Sequence, residues 1–160
     1  MTASLHFATG AAGALFVQSC LPVKYDWNYD VGRRYLFGFL AGVLSHMVFD
    51  SVPHPEYSLY GEALMAVLCL EGVAMMAVIL LGVGFRRGPV MAQLLIWGMV
   101  GAVLPDGFRF VHEYTGVVLF KWLFDMFHLW HGGLPWVYAN FYVQGVIALA
   151  AVVYVRSKSA

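Results

Sequence analysis

Five stretches of this chain, at about residues 5 to 21, 35 to 52, 62 to 84, 90 to 105 and 136 to 155, are almost unbroken apolar sequence. A run of about twenty apolar residues is what an α-helix needs to cross the hydrocarbon of a bilayer, and a helix satisfies its own backbone hydrogen bonds there. The sequence therefore predicts an all-α fold, an integral membrane bundle of about five transmembrane helices. Composition agrees: hydrophobic residues fill 61% of the 160 positions and charged ones 11%, against roughly 45–50% and 25% in an ordinary soluble domain. The runs end where helix breakers stand. Pro22 follows the first and Pro53 and Pro55 the second; Gly82, Gly84, Arg86 and Arg87 close the third, Pro105 the fourth, and Pro135 opens the last.

No composition shift or low-complexity stretch divides residues 1–160, so the chain reads as a single membrane-embedded domain. Segment 106 to 134 differs from the spans. Its second half, Val117 to Trp130, is apolar but short, with Lys121, Asp125 and His128 on one helical stripe, which predicts a re-entrant or interfacial helix.

Charge orients the bundle. Lys24, Arg33 and Arg34 after helix one, Arg86 and Arg87 after helix three, and Arg156 and Lys158 at the C-terminus fall on one side, leaving Arg109 and Lys121 on the other. The positive-inside rule then puts the N-terminus outside and the C-terminus in the cytoplasm, as expected for a bacterial or archaeal plasma membrane. No Lys or Arg precedes Leu5, so the first run reads as a retained helix rather than a cleaved signal peptide. The scattered basic residues and zero net charge make no face for nucleic acid. Cys20 and Cys69 belong to different depths and are expected to remain unbridged.

In this topology all six histidines fall on the outer side. His6 begins helix one; His46, Asp50 and His54 end helix two; Asp106 follows helix four; His112, His128 and His131 occupy the outer segment. Spacing sharpens the pattern. Gly38, Gly42, His46 and Asp50 recur every four residues, as do Gly98, Ala102 and Asp106, and His6, Gly10 and Ala14. Small residues at that spacing let membrane helices approach closely, so three contact faces each end in a ligand-type side chain at one level. Imidazole with carboxylate suits zinc or another first-row divalent ion.

Ordinary readings compete at several positions. His46 and Asp50 could seal a helix end as a pair, Asp125 could pair with Lys121, and His112 could sit in a solvated turn. The aromatics around His128 and His131 fit a membrane-surface belt. Glu71, in the middle of helix three, is either a protonated acid bonded to a neighbour such as Gln144 or part of an ion pathway. Glu62 is either an extra ligand or general base, or an anion favoured by a helix N-terminus.

The run Gly42-Val-Leu-Ser-His46-Met-Val-Phe-Asp50-Ser-Val-Pro-His54 resembles the "SHxxxD…PH" signature of small integral-membrane metal-dependent hydrolase-like proteins, of the LexA-regulated membrane-bound hydrolase type. Gly101 to Asp106 is similar to their "GxxLPD" element, His6 to Gly10 to their "HxxxG", and Phe127 to His131 to their late His-rich segment. A more distant likeness is to zinc-dependent phospholipase C and the fungal zinc nucleases. The matched stretches cover about a quarter of the chain. Phe108 stands where the family carries a second acid, and Leu129 where it carries an Arg, departures that weaken a two-metal site more than a one-metal site.

The resemblance implies His46, Asp50, Asp106, His128 and His131 as metal ligands, with His6 as a further candidate; if a bound ion activates water there, Asp106 or Glu62 is the candidate catalytic base. The expected function is metal-dependent hydrolysis, with zinc, of a phosphoester or lipid-like substrate at the outer membrane face. Two other classes are compatible with the residues: a module binding haem or another pigment through His6 and His46, and an accessory subunit of a membrane complex or homo-oligomer assembled through its small-residue faces.

Overall fold

The computed structural model describes residues 3–20, 27–50, 61–128 and 141–158. Every element among them is helical: α1 (Ala3–Cys20), α2 (Trp27–Asp50), α3 (Gly61–Ile79), α4 (Pro89–Thr115), α5 (Val118–Phe127) and α6 (Phe141–Ser157). The all-α expectation holds. His54, His131, Pro22, Pro53, Pro55 and Pro135 lie outside the described residues.

Two helical segments, Gly61–Arg87 and Pro89–Thr115, are long and apolar enough to cross a membrane. The first is α3 continued by a widened π-helical stretch, Leu80–Gly84, and a tight 3-10 turn, Phe85–Arg87, so it ends at the expected Gly and Arg cluster. The others are shorter or less apolar. α6 has 17 residues, and α2, though 24 residues long, starts eight residues before the expected span and takes Arg33 and Arg34 into its early turns. Those arginines were expected in a loop. Hydropathy detects only the apolar part of a helix, whereas Arg is itself a good helix former, so a helix can run on past its apolar part.

Pro105 was expected to close the fourth helix, but α4 runs through it to Thr115. An interior proline loses one backbone hydrogen bond and costs about 3 kcal/mol in an exposed helix. Here its ring is among the most fully buried groups of the chain, so packing against neighbouring helices offsets the loss. The helix stops instead at Gly116, whose positive φ of 69° supplies a left-handed cap and whose N–H reaches the His112 carbonyl at 2.7 Å.

The centre of the bundle is the meeting of α1, α2 and α4, and it is built from small residues. A Cβ added at Gly42 would overlap the Gly98 carbonyl, and one at Gly10 would overlap the same carbonyl and the Ala102 methyl. The Gly98 site is closed in turn by Gly10 and Ala14. These contacts run α1 antiparallel to α2 and α4, so the start of α1 and the late turns of α2 and α4 share one level. The aliphatic core, with Ala11, Leu15, Ile79, Leu95 and Met99, lies beneath them.

The outer face of α2 is the reverse of its inner one. Leu36, Leu40, Leu44 and Val48, again four apart, are 43–61% exposed, while Gly42, His46 and Asp50 are buried. α3, its π-helical continuation and α6 likewise turn Leu70, Val73, Leu81, Val146, Leu149 and Val153 outward.

Candidate metal centre

The three small-residue stripes deliver their terminal side chains to one place. His6 comes from the second turn of α1, His46 and Asp50 from the last two turns of α2, Asp106 from within α4, and His128 from the residue after α5. Their ligand atoms form two overlapping groups that share His46: His6, His46 and Asp106, and His46, Asp50 and His128, with the atoms of each group within 4.8 Å of one another. These buried His and Asp clusters can hold a metal ion.

Each imidazole is aimed by a hydrogen bond or by stacking. His46 Nδ1 lies 3.0 Å from the Ala102 carbonyl of α4, and His128 Nδ1 lies 2.7 Å from the Phe124 carbonyl one turn earlier. A carbonyl only accepts, so both Nδ1 atoms carry the proton and both Nε2 atoms turn to the centre. Such backbone acceptors fix the tautomer and direction of metal-binding histidines. His6 stacks on His46, with ring centroids 4.4 Å apart and planes inclined by 23°. Phe124 stacks on the far side of His128, centroids 3.8 Å apart.

The distances then test whether an ion fits. Donors about 2.0–2.1 Å from a tetrahedral ion lie roughly 3.3 Å from each other. His46 Nε2 and His128 Nε2 are 3.3 Å apart, His6 Nε2 and Asp106 Oδ2 3.4 Å, His128 Nε2 and Asp106 Oδ1 3.1 Å, and His128 Nε2 and Asp50 Oδ2 3.6 Å. His46 Nε2 to Asp106 Oδ1 is wider, at 4.0 Å. Neither ring nitrogen of the 1%-exposed His6 makes a hydrogen bond, although a buried polar atom without a partner costs about 1–3 kcal/mol. A cation facing Nε2 would satisfy it. The residues present fit a divalent ion in number, donor type, spacing and the bare state of His6.

Without an ion, a proton has to separate the facing Nε2 lone pairs. At His128 burial opposes a charge, but the Asp106 carboxylate, the Phe124 carbonyl and the Asp50 carboxylate together hold its pKa above the usual imidazole value, which favours the proton there. The side chains are closed off to different degrees. His6, His46, Asp50 and His128 are at most 9% exposed, whereas 39% of the Asp106 side chain is open. Asp106 is thus the most open of the five to its surroundings.

The remaining candidates separate cleanly. Asp106 lies inside α4 rather than after it. Asp125 pairs with Lys121 at 2.5 Å on the surface of α5, the ordinary reading of that spacing. His112 stands in the last turn of α4 with Nδ1 3.1 Å from the Val117 carbonyl, where it braces the turn into α5. Glu62 is exposed in the first turn of α3 and belongs to neither ligand group. Glu71 is half-buried in mid-α3, Gln144 is buried in α6, and neither enters the cluster. Cys20 and Cys69 are free, as expected. Sequence reasoning missed the Ala102 and Phe124 carbonyls, which aim the rings. Phe124 stands four residues before His128, a helical spacing that offered a signal; the Ala102 contact crosses helices and offered none.

No family model, curated protein or solved structure matches this chain.

Proposed function

We propose that the chain is an integral membrane protein of about five spans, with α5 lying at the interface, that binds one divalent ion, zinc by preference, and hydrolyses a phosphoester or lipid-like substrate at the outer face. The membrane reading is supported by the two long apolar helices and by the reversed character of α2, aliphatic outside with glycine and ionisable residues inside. A soluble bundle would turn those leucines inward. The metal reading rests on a single observation, the buried His6 imidazole, which makes no hydrogen bond and is grouped with His46 and Asp106 beside the overlapping group of His46, Asp50 and His128.

His6, His46, Asp50, Asp106 and His128 would hold the ion. When bound, it supplies Lewis acidity that lowers the pKa of water toward neutrality and polarises an ester oxygen. The chain's own part is positional. The Ala102 and Phe124 carbonyls keep two imidazoles in the ligating tautomer, and Asp106, the most open ligand among the described residues, would take up a proton from water. Glu62, exposed in the first turn of α3, is the alternative base. A haem between His6 and His46 fits poorly, because two stacked rings in contact leave no gap for a macrocycle.

Metal analysis of purified protein tests the reading, beside His46→Ala and Asp50→Ala. Near-stoichiometric zinc in the parent and loss in both variants is expected, together with metal-dependent cleavage of a chromogenic phosphoester. A parent protein free of metal after growth and purification with zinc would overturn it.

A further inference from the structure

A second polar feature lies beside the metal centre. At the turn from α4 to α5, a cavity of about 200 Å³ is lined by Arg109, His112 and Glu113 from α4 and by Lys121, Phe124 and Asp125 from α5. Its charges are balanced and paired: Arg109 Nε lies 2.9 Å from Glu113 Oε1, and Lys121 Nζ lies 2.5 Å from Asp125 Oδ2. Each pair follows its own helix, so the two helices present two cations and two anions to one space. The Arg109 guanidinium also stands 6.0 Å over the Phe124 ring. Phe124 belongs to both places, because its ring lines this cavity and stacks on the metal-centre histidine, His128.

A purely anionic ligand would gain from Arg109 and Lys121 but meet Glu113 and Asp125 at the same range, and a simple cation would meet the converse. A molecule carrying both signs can exchange with both pairs, its anion taking Arg109 or Lys121 and its cation the carboxylate set free, and because both pairs are more than half exposed they are weak enough to open. Arg109 offers planar, paired donors to a phosphate, while the carboxylates suit an ammonium group. The volume is below the roughly 300–1,000 Å³ typical of sites for whole drug-sized molecules, so it fits a headgroup rather than an entire lipid. The surroundings favour a membrane source. Tyr114 is 78% exposed and Trp122 58% exposed on either side of the turn, and both residue types concentrate at the headgroup layer of a bilayer.

We infer that the α4–α5 cavity binds the zwitterionic phosphoester headgroup of a membrane lipid, of the phosphatidylethanolamine type, and so presents that lipid to the adjoining centre. The inference rests on the membrane-hydrolase reading for its substrate, but headgroup binding itself requires no metal.

Calorimetric titration of the full-length chain in maltoside micelles tests it, with short-chain phosphatidylethanolamine, phosphatidylglycerol of the same chains, and free phosphoethanolamine as probes. Phosphatidylethanolamine is expected to bind at least tenfold more tightly than either of the others. Arg109→Gln and Glu113→Gln should each reduce that preference to under threefold with zinc content unchanged, which also certifies their fold; Lys121→Gln provides an independent third variant. His46→Ala should lose zinc and keep the preference. Equal affinity for the two lipids, or a preference that survives Arg109→Gln and Glu113→Gln in zinc-loaded protein, would overturn the inference. Free phosphoethanolamine binding as tightly as the lipid would overturn the membrane source. Since zinc is measured on the same preparations, failure of the metal reading is scored separately.

Discussion

His46 and His128 face each other Nε2 to Nε2 across 3.3 Å, while each gives its Nδ1 proton to a main-chain carbonyl. Two lone pairs cannot stay at that distance without a positive charge between them. Although burial opposes a charge at His128, the neighbouring Asp106 carboxylate raises its pKa and so favours a proton there; under the metal-binding reading proposed above, the ion would take that proton's place.

Metal affinity should accordingly fall with acidity. The ion has to displace the His128 proton, so below the raised His128 pKa each pH unit is expected to weaken zinc binding about tenfold for that one proton, and above it the dependence should flatten. The sign follows from competition: more protons, less metal. Zinc competition titrations between pH 5.5 and 8.5 check this, and a flat profile would remove the proton from the site.

His6 separates stability from metal binding. In chelator-treated protein, His6→Leu should be neutral or stabilising by about 1 kcal/mol, because it removes a buried polar ring that has no hydrogen bond. The same variant should lose most of the rise in melting temperature that zinc gives the parent. Paired thermal scans in detergent, with and without zinc, decide it; a variant that still responds to zinc like the parent would exclude His6 as a ligand.

Gly42→Ala should damage the centre from a distance. The added methyl overlaps the Gly98 carbonyl, so α2 has to move away from α4. Overpacking of this kind costs about 1–3 kcal/mol, and the shift of His46 and Asp50 relative to Asp106 should lower zinc affinity at least tenfold. Gly32→Ala, where an added Cβ meets nothing, serves as the control and should change neither property.

Asp125→Asn provides the opposite expectation. Its carboxylate pairs with Lys121 at an exposed site, and such pairs contribute about 0–1 kcal/mol. Zinc content should match the parent, and the melting temperature should move little. A loss of metal would enlarge the ligand set beyond the residues that converge here.

Topology can be read from the free thiols. Cys20 ends α1 at the end opposite His6 and is exposed. With the N-terminus outside, a membrane-impermeant maleimide should label Cys20 only after the cells are opened. Val117→Cys, in a Cys20→Ser and Cys69→Ala background, should react on intact cells. The reverse pattern would invert the protein.

What could be read in the sequence and what could not divides along physical lines. The stripes ending in His6, His46 with Asp50, and Asp106 were legible because helical spacing is set by backbone geometry, and small residues at that spacing have few uses besides close approach. Pro105 misled because its effect depends on burial: the ring that would stop an exposed helix is tolerated in a packed one. The starting point of α2 was hidden because Trp27 to Arg34 carries no apolar run. The Ala102 carbonyl was invisible because any residue has one, and its value comes from standing opposite His46. The α4–α5 cavity was equally hidden, since Arg109 and Lys121 are twelve positions apart and meet only because Gly116 reverses the chain.

Gly98 has a consequence for which ions the protein can accept. One bare stretch of main chain is wedged between α1 and α2, so the separation of their imidazoles is gauged by a peptide backbone rather than by flexible side-chain arms. An ion that needs oxygen donors at 2.3–2.6 Å and six or more partners, such as calcium, would have to pry three helices apart to enter. In the proposed metal centre, selection by radius would thus be built into the glycines, at a distance from every atom that would touch the metal.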